Sequence, residues 1–160
     1  MPRCLPASRP QLKRDPLGRR GVFPRTDLPI TLADPVTLEV VVEPEIEVRL
    51  RVSAKSKYTR QYVALEDGSE RAFVALDLEP SRAVLYELWV PTAQRGHGVG
   101  TAVLTAVEGL ALRAGCTTVV VRPKPLDSGI DPERLARFYR THGYEPLDAD
   151  PGLMSKVVRI

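Results

Sequence analysis

Residues 87–110, ELWVPTAQRGHGVGTAVLTAVEGL, decide how this chain folds. An apolar, strand-like run reaches Val90, and Pro91 ends it. A basic, glycine-rich turn follows (Arg95, Gly96, His97, Gly98, Val99, Gly100, Thr101), and an amphipathic helix begins inside it. A helix N-terminus leaves its first N–H groups without intrahelical partners and carries about half a positive charge. Glycines let the preceding backbone gather several of those groups around one point, and Arg95 adds a full charge. The turn therefore has the make-up of an anion nest, with phosphate as its natural ligand. Two familiar phosphate loops fit badly: no Lys precedes Thr101 as a P-loop requires, and a dinucleotide pattern would need a glycine at Thr101.

Working outward, the helical spacing of Val99, Val103, Leu104, Val107, Leu110, Ala111 and Ala114 predicts a helix that stops at Gly115. The β-branched run Thr117–Arg122 predicts a strand buried on both faces, broken by Pro123. Asp131-Pro132 is a helix start, with Asp as N-cap and Pro at the first position. Leu135, Phe138, Tyr139 and His142 follow on one side, Gly143 closes the helix, and residues 144–147 and 153–159 form a last strand pair.

Upstream, Ile46, Val48, Leu50 and Val52 alternate with Glu45, Glu47, Arg49 and Arg51, the pattern of a strand with one wet face, and Glu43-Pro44 reads as a turn between two strands. Asp67-Gly68 is a hairpin turn between residues 62–66 and 71–78, and Glu79-Pro80-Ser81 turns the chain into a strand over 83–90. The expected first half is an antiparallel meander of about five strands. The expected whole is a mixed α/β domain around one mostly antiparallel sheet, with a single parallel strand–helix–strand crossover.

The spacing Arg95, Gly98, Gly100 after Leu88-Trp89-Val90-Pro91 resembles the acyl-CoA-binding motif of the GCN5-related N-acetyltransferase (GNAT) family, Q/R-x-x-G-x-G/A. That family's second recurring element, F-Y-x-x-x-G-F/Y, is matched by Phe138-Tyr139-Arg140-Thr141-His142-Gly143-Tyr144. The resemblance covers residues 83–159. It implies that the amides of residues 95–101 hold the pyrophosphate of acetyl-CoA, the co-substrate, and that the backbone of Leu88 and Val90 pairs with the pantetheine at a splay between two strands. It makes Tyr139 the general acid that protonates the departing thiolate. Glu87, the one acid of its strand and expected on the face shared by Leu85 and Trp89, is the candidate base. His97 is expected to face phosphate or solvent. The family's asparagine seven residues before the tyrosine is replaced by Pro132. The family also places one or two helices between its first strands, whereas 36–53 reads as strand–turn–strand. An acceptor site built without them would be wide and shallow, suited to a protein or peptide amine.

At 160 residues, 43% hydrophobic and 27% charged, the chain has the make-up of a single globular domain with its own core. Residues 1–35 hold seven of the 23 Lys/Arg and three of the 20 Asp/Glu, a net of +4, which leaves 36–160 at −1. Seven prolines in the same 35 residues predict a disordered basic arm. The domain proper is then 36–160. Such an arm offers a nucleic-acid contact; the bland alternative is a solvated extension. Cys4 and Cys116 are too few for a disulfide framework, and Cys116 opens a buried strand, a poor place for a nucleophile. No apolar run is long enough to cross a membrane and no signal peptide is legible, so the expected compartment is the cytoplasm. The sequence reading is an acetyl-CoA-dependent N-acetyltransferase acting on a primary amine without a metal. Its rivals are a silent acyl-CoA-binding domain and a nucleic-acid-associated protein acting through the arm.

Overall fold

The computed structural model describes residues 30–38, 40–53 and 56–160. One seven-stranded sheet runs through it in the order β1-β2-β3-β4-β5-β7-β6. Its strands are β1 (Thr31–Ala33), β2 (Thr59–Glu66), β3 (Ser69–Glu79), β4 (Arg82–Trp89), β5 (Thr118–Val121), β6 (Glu145–Leu147) and β7 (Asp150–Val157). Three helices join them: α1 (Pro44–Val52), α2 (Val99–Arg113) and α3 (Pro132–Thr141). Every strand pair is antiparallel except β4–β5, the pair joined through α2. The expected mixed α/β sheet with one parallel crossover is what forms.

The turns obey local chemistry. Asp67 and Gly68 both take positive φ (50° and 73°) and close the β2–β3 hairpin, as its tight geometry requires. Helix α3 starts where Asp131 accepts from the N–H groups of Glu133 and Arg134, with Pro132 at its first position. Helix α2 buries Val103, Leu104, Val107 and Ala111, a stripe at helical spacing, and ends before Gly115 at φ 85°.

Three expectations from the sequence are corrected. The N-terminal meander has four strands, and residues 44–52, expected as strand, form α1. Glu43 caps that helix through the N–H of Glu45, Pro44 takes its first position, Glu45 and Glu47 lie in the first turn, and Arg49 and Arg51 in the last. All of this favours a helix. The apparent alternation was misleading because only Ile46 is fully buried, while Val48 and Val52 are exposed. The sheet therefore does carry a helix between its first two strands. Residues 31–33, assigned to the basic arm, pair with β2 from Thr31↔Leu65 to Ala33↔Val63 and so belong to the domain. The rest of the expected arm, including Cys4, lies outside the described residues.

The sheet has two unlike faces. On one, α2 and α3 pack into a large cluster that includes Val74, Leu76, Leu85, Val107, Val119, Tyr139 and Tyr144. On the other, α1 contributes Ile46 to a small cluster with Val63, Phe73, Ala75 and Trp89. Among the described residues, no helix is long and apolar enough to cross a membrane.

Candidate active site

Strand β4 and the turn beyond it organise the site. The β4–β5 pairing stops at Leu85↔Val121, yet β4 runs on to Trp89, so the two strands part and the β5-facing edge of β4 has no partner strand there. A β-bulge falls at the same point. The β3–β4 register passes from Leu76↔Leu85 to Ala75↔Glu87, leaving Tyr86 as the extra residue. A bulge bends the strand and resets its alternation. Leu85 faces the α2–α3 side with Leu88 and Val90, while Glu87 and Trp89 face the α1 side. The expectation that Glu87 shares a face with Leu85 is thus overturned; the one with Trp89 holds.

Beyond β4, Gly96 and Gly98 adopt φ of 78° and 80°, backbone that residues with a Cβ resist. A Cβ at either would meet nothing within 4 Å, so their near side is open. Gly98 is the N-cap of α2 and brings no side-chain cap. The first amide to find a carbonyl in that helix is Ala102, bonded to Gly98 at 3.1 Å. The amides of Val99, Gly100 and Thr101 are therefore left at the helix mouth. A Cβ at Gly100 would make ordinary van der Waals contact with the Phe138 ring, at 3.5 Å. The glycine turn and the Phe138-Tyr139 motif thus lie against each other. His142 reinforces that contact, its Nε2 lying 3.0 Å from Thr101 Oγ1 and its Nδ1 bonded to the Phe138 carbonyl.

Of the expected ligands, Arg95 already has partners within the protein. Arg95 directs its guanidinium to Asp127 Oδ2 at 3.0 Å and onto the Trp89 ring at 4.5 Å, and its Nε donates to the Val90 carbonyl at 2.9 Å. Its charge is answered within the protein and one Val90 backbone group is occupied. Asp127 is exposed to opposing influences, desolvation raising its pKa and Arg95 lowering it, and the net direction is down. His97 is exposed, with Nδ1 3.3 Å from the Gln94 carbonyl.

Tyr139 lies 4% exposed on α3, edge-on to Tyr144 with ring centroids 5.5 Å apart. Its hydroxyl takes no hydrogen bond among the described residues. Burial pushes its pKa well above the usual phenol range, so at neutral pH the group is a protonated donor. Tyr144 is fixed in turn by Glu108, which accepts from its hydroxyl at 3.1 Å and pairs with Lys156 at 2.8 Å.

On the α1 face, Glu87 Oε1 accepts from Ser53 Oγ at 3.1 Å, while Oε2 is buried without a partner. Ser53 is the C-cap of α1. Neighbouring Tyr86 donates to Asp77 Oδ2 at 3.2 Å. Burial first and Asp77 second push the Tyr86 hydroxyl pKa up. Ser53 escapes a reading of the sequence because only helix α1 brings it to Glu87. No cluster of His, Cys, Asp and Glu suited to a metal occurs among the described residues.

A family model for the acetyltransferase (GNAT) domain matches residues 57–146, more than half of the chain. The chain belongs to the GNAT acetyltransferase family. Its fold is similar to that of a GNAT family acetyltransferase from Elizabethkingia anophelis with acetyl-CoA bound, at a TM-score of 0.59 and 14% identity, covering 81% of this chain and 98% of that one. The PaiA N-acetyltransferase from Thermoplasma acidophilum in complex with coenzyme A matches at a TM-score of 0.50 and 18% identity over 71% of this chain and 67% of that one. AtaTR bound with AcCoA matches at 0.58 and 16% over 82% and 94%. At such identities the likeness is one of fold. No curated protein sequence matches the chain.

Proposed function

We propose that this GNAT protein is an acetyl-CoA-dependent N-acetyltransferase that passes an acetyl group from the thioester directly to a primary amine. The observation that carries the reading is the parting of β4 from β5, with Glu87 on one face of the sheet there and Tyr139 in the cluster on the other. Acetyl-CoA would supply the activated acyl group. Its pyrophosphate suits the amides of Val99, Gly100 and Thr101 and the open side of Gly96 and Gly98. Its amide-bearing arm suits the unpaired edge of β4 at Leu88, in the manner of an added strand. Arg95 acts in this reading by holding the turn to Trp89 and Asp127.

The chain's own groups divide the proton traffic. Glu87, through its unpartnered Oε2, takes a proton from the incoming ammonium and frees the nitrogen lone pair. As the N–C bond forms and the C–S bond breaks, Tyr139 gives its proton to the sulfur, and the second proton leaving the nitrogen passes to solvent, from which Tyr139 regains its own. Placing base and acid on opposite faces keeps the two transfers apart. A positioned acid of this kind accelerates such a step by about 10²- to 10⁴-fold. Cys116 is buried with its thiol on the Glu79 carbonyl, which supports direct transfer over a cysteine intermediate. The case for a protein or peptide acceptor rested on a missing helix, and α1 removes that ground. With only two cysteines in the chain, the cytoplasm stays the proposed compartment.

The test pairs calorimetry with thiol release. Acetyl-CoA should bind the wild type and fail to bind Gly98→Val, whose side chain enters the ligand's space from strained backbone. Tyr139→Phe should bind acetyl-CoA as the wild type does but turn over about ten- to a hundredfold more slowly. A wild type that does not bind acetyl-CoA sinks the enzyme reading; normal turnover by Tyr139→Phe removes the acid assignment.

A further inference from the structure

His142 joins the two motifs of the site and takes no part in the proposed proton transfers. It is the C-cap of α3, and its ring lies 4.5 Å from that of Phe138, centroid to centroid. Nδ1 lies 2.6 Å from the Phe138 carbonyl, which can only accept, so Nδ1 carries a proton. The Thr141 hydroxyl, 3.4 Å from Nδ1, donates to the same carbonyl at 2.8 Å and so has no proton to offer the ring. Nε2, 3.0 Å from Thr101 Oγ1, is therefore the nitrogen that can change state. In a neutral ring Nε2 accepts, and the single hydroxyl proton of Thr101 is engaged by it. In a charged ring Nε2 donates, and the Thr101 proton is released for another acceptor.

Thr101 stands in the first turn of α2, beside the amides of Val99, Gly100 and Thr101 at the helix mouth. A proton on His142 thus converts Thr101 from a hydroxyl tied to α3 into a further donor at that mouth. The ring also spans opposite helix ends. Its Nδ1 sits at the last turn of α3, where a cation is favoured, and its Nε2 at the first turn of α2, where a cation is disfavoured until an anion arrives. No carboxylate pairs with the ring among the described residues. The charged groups of the surrounding elements are engaged elsewhere or exposed. Glu108 of α2 holds Lys156 of β7, whose stem passes Gly143, and Arg140 of α3 pairs with Glu133. Arg134, Arg137 and Glu145 are exposed, and Arg113 lies at the far end of α2.

We propose that His142 completes the cofactor site through Thr101: acetyl-CoA binds with His142 as an imidazolium, so binding takes up a proton. The inference rests on the reading that the α2 mouth holds the pyrophosphate. Ionised pyrophosphate oxygens accept hydrogen bonds and do not donate them, so they select the state in which Thr101 donates to the mouth. The anion also answers the charge of the ring across that hydroxyl. Below the imidazole range the ring is charged with or without ligand, and affinity is greatest. As pH rises through that range the free protein loses the proton that the complex needs, and affinity falls. His142 is a positioning residue in this arrangement, since it touches Thr101 and none of the reacting atoms.

Calorimetric titration of acetyl-CoA into the full chain, in two buffers of unlike ionisation enthalpy, counts the protons taken up. The chain has two histidines, and His97 in the glycine turn is the rival source, so His97→Gln is measured beside His142→Gln. The ligand's own phosphate ionisation is common to every variant and cancels between them. The uptake should persist in His97→Gln and vanish in His142→Gln. Between about pH 5 and 8, wild-type affinity should fall about tenfold more than that of His142→Gln, the lower range for a hydrogen bond to a charged group. Thr101→Val, at an exposed position, severs the link from its other end and should flatten the pH dependence in the same way. An equal proton count in wild type and His142→Gln, or a pH dependence unchanged in Thr101→Val, overturns the inference while acetyl-CoA binding stands. A wild type that binds no acetyl-CoA at any pH overturns the cofactor reading, and the inference falls with it.

Discussion

Helices α1 and α3 begin alike, with an acidic residue followed by proline, and are held in place by different forces. In α3 the pattern is self-sufficient. Asp131 satisfies two orphan amides, and Tyr139 is buried, with Leu135 and Phe138 packed on the same cluster. In α1 one residue, Ile46, is buried fully, and two of the four apolar side chains point to solvent. What α1 lacks in apolar stripe it gains in polar tethers. Glu70 on β3 accepts from the amides of Val42 at 2.9 Å and Glu43 at 2.7 Å. Glu45 accepts from the Thr92 amide at 2.9 Å, and Arg49 donates to the Leu126 carbonyl at 3.1 Å while lying 4.2 Å over the Trp89 ring. A helix held by its own periodicity is legible in the sequence, and one held by distant tethers is not.

The sharpest way to break this comparison is to substitute along α1. Ile46→Ala should cost about 2–5 kcal/mol of unfolding free energy, the range for a fully buried aliphatic truncation. Val48→Ala and Val52→Ala, at exposed positions, should stay within about 0.5 kcal/mol. Urea unfolding of the three variants decides it. A half-buried strand would give similar losses at 46 and 48, so equal values would restore the alternating reading.

The glycine turn and the Phe138-Tyr139 motif could be read because their residues act on near neighbours. Gly96, Gly98 and Gly100 shape one turn, and Phe138, Tyr139 and Gly143 lie on or beside one helix. Even there, the destination of Arg95 was hidden, since Asp127 is 32 residues away. The surroundings of Glu87 and α1 depend on longer connections. Glu87 faces α1 because Tyr86 is a bulge, and nothing in the local composition of that strand marks one. The tethers of α1 span 27 residues to Glu70, 47 to Thr92 and 77 to Leu126. The proposed acid Tyr139 was therefore legible, whereas Ser53, the one partner of the proposed base among the described residues, was not.

An intermediate effect is expected where α1 meets the cofactor turn. Arg49 and Arg95 both stack on Trp89, which joins α1 to the start of the glycine turn. Arg49→Ala removes one cation–π contact and the bond to Leu126, and should cost about 1–2 kcal/mol. Arg49→Lys should recover only part of this, because an ammonium lacks the planar guanidinium that stacks on the ring. Thermal unfolding of both variants beside the wild type measures the difference. Equal stability of all three would mean that the Arg49 tether contributes nothing, and that Ile46 holds α1 together with the Glu45 and Glu70 tethers.

The smallest effects separate the two helix starts themselves. Asp131→Ala should cost about 1 kcal/mol, the usual loss for an N-cap with no substitute. Glu43→Ala should cost a few tenths, for two reasons. Glu43 reaches only the amide of Glu45, at 3.3 Å, and the segment entering α1 stays pinned by the Glu70 carboxylate. In a Glu70→Ala background that support is gone, so the Glu43→Ala penalty should rise toward the Asp131 value, a coupling that a double-mutant cycle reads directly. Additive losses would show that Glu70 and the cap act independently. In that case α1 would begin as α3 does, by its own local chemistry, and its obscurity in the sequence would trace to its exposed valines alone.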